Sequence, residues 1–352
     1  MIRLSRWSGA WALALGLAGC GGGGEPAAAP VAPPVAPSDP AAARRNAAIA
    51  AAREAAATDP LCAADKLGDF YWEIGDGASS VPIVGQAQGS GSVTAASRFN
   101  IASASKLVFG AYVLEKKGIA AVRATPALSD GLRFTSGYHG FSDEACIGSL
   151  TVQACLERGM GGKPLIPDPA TVGKFDYNGA HDQRLAAADL GMAGFNARQI
   201  DAEYQSVLRL PAGFGMGTLV PLLPGGLSAS AADYAQLLRQ IMNRQLVIGN
   251  HLGEASVCAN PSTCPGQVAS SPIEALGEPW RYSYNHWVES EAGNGTVDAY
   301  SSPGKWGFYP WITVNRAYYG IVSRHDTAPV AYGASVRCGR QIRKAFLRAL
   351  AG

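Results

Sequence analysis

Runs of basic residues are missing from this chain. Its 29 Lys and Arg balance 27 Asp and Glu to a net charge of +2, spread so evenly that a nucleic-acid surface is excluded as its organising feature. No period of tens of residues recurs, which argues against a solenoid, and no Gly-x-Ser-x-Gly elbow is present, which argues against an α/β-hydrolase. Histidine is scarce. His139, His181, His251, His286 and His325 are scattered, each read as a structural or surface residue, and none stands at ligand spacing beside a cysteine. The step from Cys258 to Cys264 is too wide for a zinc knuckle, so no metal site is expected.

What is present is a hydroxyl and an amine three residues apart at the head of an apolar stretch, Ser103-Ala104-Ser105-Lys106 running on to Leu114. Residues three apart share a helix face, so Ser103 and Lys106 meet while Ser105 points elsewhere. The stretch from Leu107 to Leu114 is apolar nearly all round, the mark of a buried helix. Desolvation lowers an amine's pKa, so Lys106 there suits the role of base for Ser103. The helix N-terminus offers positive potential to an oxyanion.

Upstream, Arg3 and Arg6 precede an apolar run too short to span a bilayer, ending in Leu17-Ala18-Gly19-Cys20. Residues 1–20 resemble a bacterial lipoprotein signal, which implies lipidation of Cys20. Gly21 in the next position implies an anchor in the outer membrane, facing the periplasm. Residues 21–60 read as a Gly/Pro/Ala-rich tether ending in an Ala-rich helix over 41–58, whose packing the sequence leaves open. Residues 61–352 are long enough for the working domain. Six further cysteines suit an exported, disulfide-bonded protein. Short-range pairing gives Cys146–Cys155 and Cys258–Cys264 and leaves Cys62–Cys338, one of fifteen connectivities.

Strands are expected at 70–77 and 81–87, then at 280–288, 307–312 and 317–323. A helix is expected over 227–245, with Ser228 or Ser230 as its cap and Tyr234, Leu237, Leu238, Ile241 and Met242 on its inner face. A closing amphipathic helix is expected over 336–351. Strands, then helices, then strands again imply an α/β (α+β) fold: an antiparallel sheet flanked by N- and C-terminal helices, with an inserted, mainly helical lobe.

Two later segments supply partners for Ser103. Tyr177, in a loop before a helical stretch, can take a proton from a serine and hand one to a leaving group. Lys305-Trp306-Gly307, read as the edge of a late strand, offers an ammonium for a substrate carboxylate and a glycine that admits a substrate backbone. The Phe308 amide would then join that of Ser103 as oxyanion donor.

The order of these elements, Ser103-x-x-Lys106, the Tyr177 loop and Lys305-Trp306-Gly307, resembles the serine β-lactamase and penicillin-binding-protein superfamily, over roughly residues 61–350. Thr135-Ser136-Gly137 and the segment from Pro224 to Ala235 are similar to parts of class C enzymes and related esterases. The resemblance implies an acyl-enzyme on Ser103, with Lys106 assisting its deprotonation and Tyr177 as general base and then acid. Lys305, Gly307, Phe308 and Asn178 would bind substrate, and no metal or organic cofactor is required. Two departures set the chain apart. Gly179 stands where class C enzymes have the asparagine of Tyr-x-Asn, with Asn178 one place early, and Trp306 replaces a small hydroxyl residue. Both favour an ester or amide substrate over a β-lactam. A D,D-peptidase or β-lactamase, or a binding lipoprotein that has lost turnover, are the alternatives.

Overall fold

Alternation along the strands builds two cores, one on each face of a single large sheet. The computed structural model describes residues 39–217, 219–291, 295–329 and 331–352. The expected lipoprotein signal with Cys20, and the expected tether as far as residue 38, lie outside the described residues. The sheet contains β1 (Phe70–Gly75), β2 (Val84–Gln88), β3 (Val257–Cys258), β4 (Arg281–Ser283), β5 (His286–Ser290), β6 (Val297–Ser301), β7 (Tyr309–Thr313) and β8 (Tyr319–Ser323). It runs in the order β2-β1-β8-β7-β6-β5-β4-β3, every pairing antiparallel.

Successive side chains point to opposite faces. Phe70, Trp72 and Ile74 of β1, Tyr309 and Trp311 of β7 and Val322 of β8 join one core, while Tyr71, Ile312, Tyr319 and Ile321 join the other. The first core is closed by α1 (Pro40–Thr58) and the C-terminal helix, here α4 (Ala331–Ala351). Ala48, Ala52 and Ala56 lie one above the next on α1 and are fully buried, so the Ala-rich helix packs on the sheet's helical layer. Small side chains let the two helices approach closely. The other core is filled by α2 (Ser105–Lys117), α3 (Ala231–Met242) and the helices between them.

Helix boundaries follow local chemistry. Gly118, at φ +76°, ends α2 behind Lys116 and Lys117. The Ser230 hydroxyl accepts from the Asp233 amide while the Asp233 carboxylate accepts from the Ser230 amide, a capping box that starts α3 four residues later than the apolar pattern suggests. Leu227–Ala229 is instead a strand paired with Phe99–Asn100. The cysteines pair as Cys62–Cys338, Cys146–Cys155 and Cys258–Cys264. Among the described residues no helix is long and apolar enough to cross a membrane.

Candidate active site

Ser103 sits in a tight 3-10 turn, Ala102–Ala104, that feeds directly into α2. The backbone before it is bent hard: Ala102 has φ +44°, a region L-residues rarely occupy. Its neighbours hold that turn in place. The Ala102 amide donates to Asn100 Oδ1 at 2.7 Å, the Tyr234 hydroxyl of α3 to the Ala104 carbonyl at 2.8 Å, and the Leu227 amide to Ser105 Oγ at 3.2 Å. Ser105 is therefore a fully buried structural residue, as its register predicts.

Lys106, buried in the helix's first turn, places Nζ 3.1 Å from Ser103 Oγ and donates to the Pro224 carbonyl at 2.9 Å. Its ammonium also lies 5.0 Å from the centre of the Tyr177 ring. Tyr177 is half-buried, its ring stacked on Trp287 at 5.2 Å. Burial pushes the phenol's pKa up, while the Lys106 charge and the Ser103 hydroxyl pull it back without reversing the shift. All three groups line a cavity of about 440 Å³ walled by Phe141, Ile273, Trp287 and Tyr332. A second cavity of about 350 Å³ opens from the same place, sharing Ser103, Asp143, Glu144 and Lys305, with Ile147, Val220, Leu222 and Trp306 around it.

The third element lies elsewhere than the sequence reading placed it. Lys305, Trp306 and Gly307 form a turn ahead of β7, not a strand edge. Gly307, at φ +100°, faces Arg324 and Ser335, and Phe308 is buried against Tyr234 with its carbonyl accepting from Gly304. Neither of these two residues lines the cleft. The segment beside the nucleophile is instead Ser302-Pro303-Gly304, the continuation of β6. Ser302 Oγ donates to the Ser103 carbonyl at 3.0 Å. A Cβ on Gly304 would fall on the Ile101 carbonyl oxygen and 3.5 Å from the Ala104 amide nitrogen. Lys305 does reach the cleft mouth, but its Nζ pairs with Glu144 at 3.5 Å and rests on the Trp306 ring at 4.8 Å.

Asn178 lines the cavity with its amide engaged: Nδ2 donates to the Tyr138 carbonyl at 3.0 Å and Oδ1 accepts from the Ala180 amide at 2.8 Å. It braces the Tyr177 loop. Where Tyr-x-Asn would put its asparagine, a Cβ on Gly179 would stand 2.6 Å from Asp143 Oδ1 and 2.8 Å from the Phe141 ring. Asp143 thus occupies that room. Sequence reading missed it, because only the Gly179 departure hints that another side chain fills the gap. Burial raises its carboxyl pKa, with Glu144 adding to the shift and Lys106 and Lys305 opposing it.

The histidines lie outside the cavity that holds Tyr177. His181 is buried, accepts or shares a proton with Ser136 Oγ at 2.7 Å and contacts the Asp176 carbonyl at 2.9 Å. His286 is buried at the start of β5, where its Nε2 accepts from the Gly253 amide at 2.9 Å.

No family model matches this chain, and no curated protein matches it. Solved structures do. A penicillin-binding protein from Bacillus halodurans superposes with a TM-score of 0.52 at 15% identity, covering 77% of this chain and 94% of its own. The D-amino acid amidase from Ochrobactrum anthropi SV3 gives a TM-score of 0.56 at 10% identity, covering 86% and 98%. A mutant simvastatin synthase from Aspergillus terreus gives 0.51 at 13% identity, covering 88% and 97%. The chain has the fold of the β-lactamase and penicillin-binding-protein-like serine hydrolases.

Proposed function

We propose that the protein is a serine hydrolase that cleaves an ester or amide through an acyl-enzyme on Ser103. The observation that carries this reading is the Lys106 Nζ held 3.1 Å from Ser103 Oγ, with the Tyr177 ring beside it in one cavity. To act as base, Lys106 first releases to solvent one proton of the ammonium that donates to Ser103 and Pro224; the amine keeps an N–H for the Pro224 carbonyl and turns its lone pair to Ser103. Ser103 Oγ bonds to the substrate carbonyl carbon as its proton passes to Lys106. Tyr177, kept protonated at rest by burial, then gives its proton to the departing oxygen or nitrogen as the scissile bond breaks. Proton return from Lys106 to the phenolate resets the pair, and water releases the acyl group by the reverse route.

Two amides suit the oxyanion: those of Ser103 and Lys305. The Ser302 and Gly304 amides both donate toward β7. Backbone groups alternate along an extended segment, so those of Pro303 and Lys305 face the opposite side. Proline is tolerated at 303 because an N–H there would have no strand partner. The structural neighbours include proteins named as an amidase and a synthase, which supports acyl transfer beyond β-lactams. We further propose that Cys20 carries a lipid anchor placing the enzyme on the periplasmic face of the outer membrane.

A fluorophosphonate probe and a penicillin probe separate the readings. The expected result is Ser103-dependent labelling by fluorophosphonate, weak labelling by penicillin, and ester turnover lost in Ser103→Ala while the protein melts as before. Penicillin labelling equal to that of fluorophosphonate would favour the D,D-peptidase or β-lactamase reading. No labelling by either would leave a binding protein on this fold.

A further inference from the structure

We infer that Asp143 is a specificity-determining residue that selects acyl substrates carrying an ammonium group close to the scissile carbonyl, with an apolar side group for the aromatic wall. The inference rests on the acyl-enzyme reading above. Asp143 and Ser103 line both cavities, so the carboxylate stands at the junction where the reacting carbonyl must lie. It is lodged between two glycines: a Cβ on Gly179 would be 2.6 Å from Oδ1, and one on Gly225 would be 3.6 Å from Oδ2. A side chain at position 179 would displace it, while Gly225 stands in ordinary van der Waals contact on the other side.

Among the described residues the Asp143 carboxylate accepts no hydrogen bond, although its own backbone carbonyl accepts from the Cys146 amide at 3.1 Å. The carboxylate is half-buried, so an arriving ammonium meets it partly desolvated and with no protein donor to displace. Burial already holds its carboxyl above the ordinary range, a cost that an arriving ammonium relieves. The nearest cations have other duties. Lys106 donates to Ser103 and Pro224, and Lys305 pairs with Glu144 on the rim. Position is fixed as well, since the loop from Phe141 to Cys146 is anchored by the Cys146–Cys155 disulfide and by the Ser142 amide on the Gly159 carbonyl. A substrate carboxylate at the same place would meet Asp143 head-on.

The test uses three benzyl esters of alanine, in both enantiomers: the free amine, its N-acetyl derivative and its N-succinyl derivative, with benzyl alcohol release giving kcat/KM. The wild type is expected to prefer the ammonium ester over the acetylated one by about tenfold or more, the value of one charge-assisted hydrogen bond, and to turn over the anion most slowly. Asp143→Asn brings the first ratio near one, and Asp143→Lys moves the preference toward the succinyl ester. Each ratio is taken within one variant, so a general loss of rate does not affect it. Ser103-dependent turnover with no amine preference, or a preference that survives in Asp143→Asn, overturns this inference alone. Turnover that persists in Ser103→Ala, or no turnover in the wild type, overturns the hydrolase reading along with it.

Discussion

Two glycines three positions apart, Gly304 and Gly307, do different work, and a methyl group distinguishes them. A Cβ at 304 meets the Ile101 carbonyl oxygen, two residues before Ser103, whereas a Cβ at 307 meets Arg324 and Ser335 in a backbone already at φ +100°. Gly304→Ala should therefore push the nucleophile turn away from Lys106. Misplacement of order 1 Å can cost about a hundredfold in rate, so kcat should fall at least about tenfold even where the melting temperature changes little. Gly307→Ala should cost stability, of order 1–2 kcal/mol from the left-handed backbone, with kcat of the folded protein near wild type. Steady-state kinetics beside thermal melts check both. The reverse pattern would return Gly307 to the site. Nothing local separates these glycines in the sequence, because the contact that decides joins residue 304 to residue 101. Ser103 and Lys106 were legible, since their relation is set by one helical turn.

At the scale of elements, α4 docks on the sheet through buried charge as well as apolar surface. Arg343 is almost wholly buried. It donates to Glu289 at 2.8 Å, Asp298 at 3.0 Å and the Tyr309 hydroxyl at 3.1 Å, and that hydroxyl in turn donates to Glu289 at 2.7 Å. Removing Arg343 leaves the buried Glu289 and half-buried Asp298 carboxylates to Arg340, which stands 4.0 Å from Glu289 and 3.8 Å from Asp298. Arg343→Ala should lose about 3–5 kcal/mol, read by urea unfolding, while Glu289→Gln/Arg343→Met should recover part of that loss. A cost under about 1 kcal/mol for the single change would mean the network is solvated. The same network explains why β6 escaped the sequence reading while β1, β5, β7 and β8 did not. Apolar alternation marks those four. In β6, Asp298 interrupts the pattern because Arg343 reaches it from a helix 45 residues later.

For the whole molecule, the order of helices and strands was readable from periodicity and turn residues, but the pH dependence of stability comes from groups buried only by folding. Burial holds His181 at about 3 and His286 at about 4. The unfolded chain protonates both near 6.5, so their contribution is present above that pH and is lost as pH falls. Asp182 works in the opposite sense. It is fully buried beneath the site, accepts from Asn285 at 2.8 Å through Oδ1, and has no partner for Oδ2 among the described residues. Burial raises its carboxyl to about 7 against the pull of Lys106 and Asn285. Between about pH 4 and 7 the folded protein keeps a proton that the unfolded chain has released, so this group's contribution drains away as pH rises, by up to about 4 kcal/mol. Asp182→Asn removes that term and leaves the histidines in place. In urea unfolding from pH 4.5 to 8.5, the stability of Asp182→Asn relative to wild type should climb until about pH 7 and then level off. A difference that stays constant across the range would mean that Asp182 is ionised in the folded protein, and Lys106 would then have a second buried carboxylate to answer to.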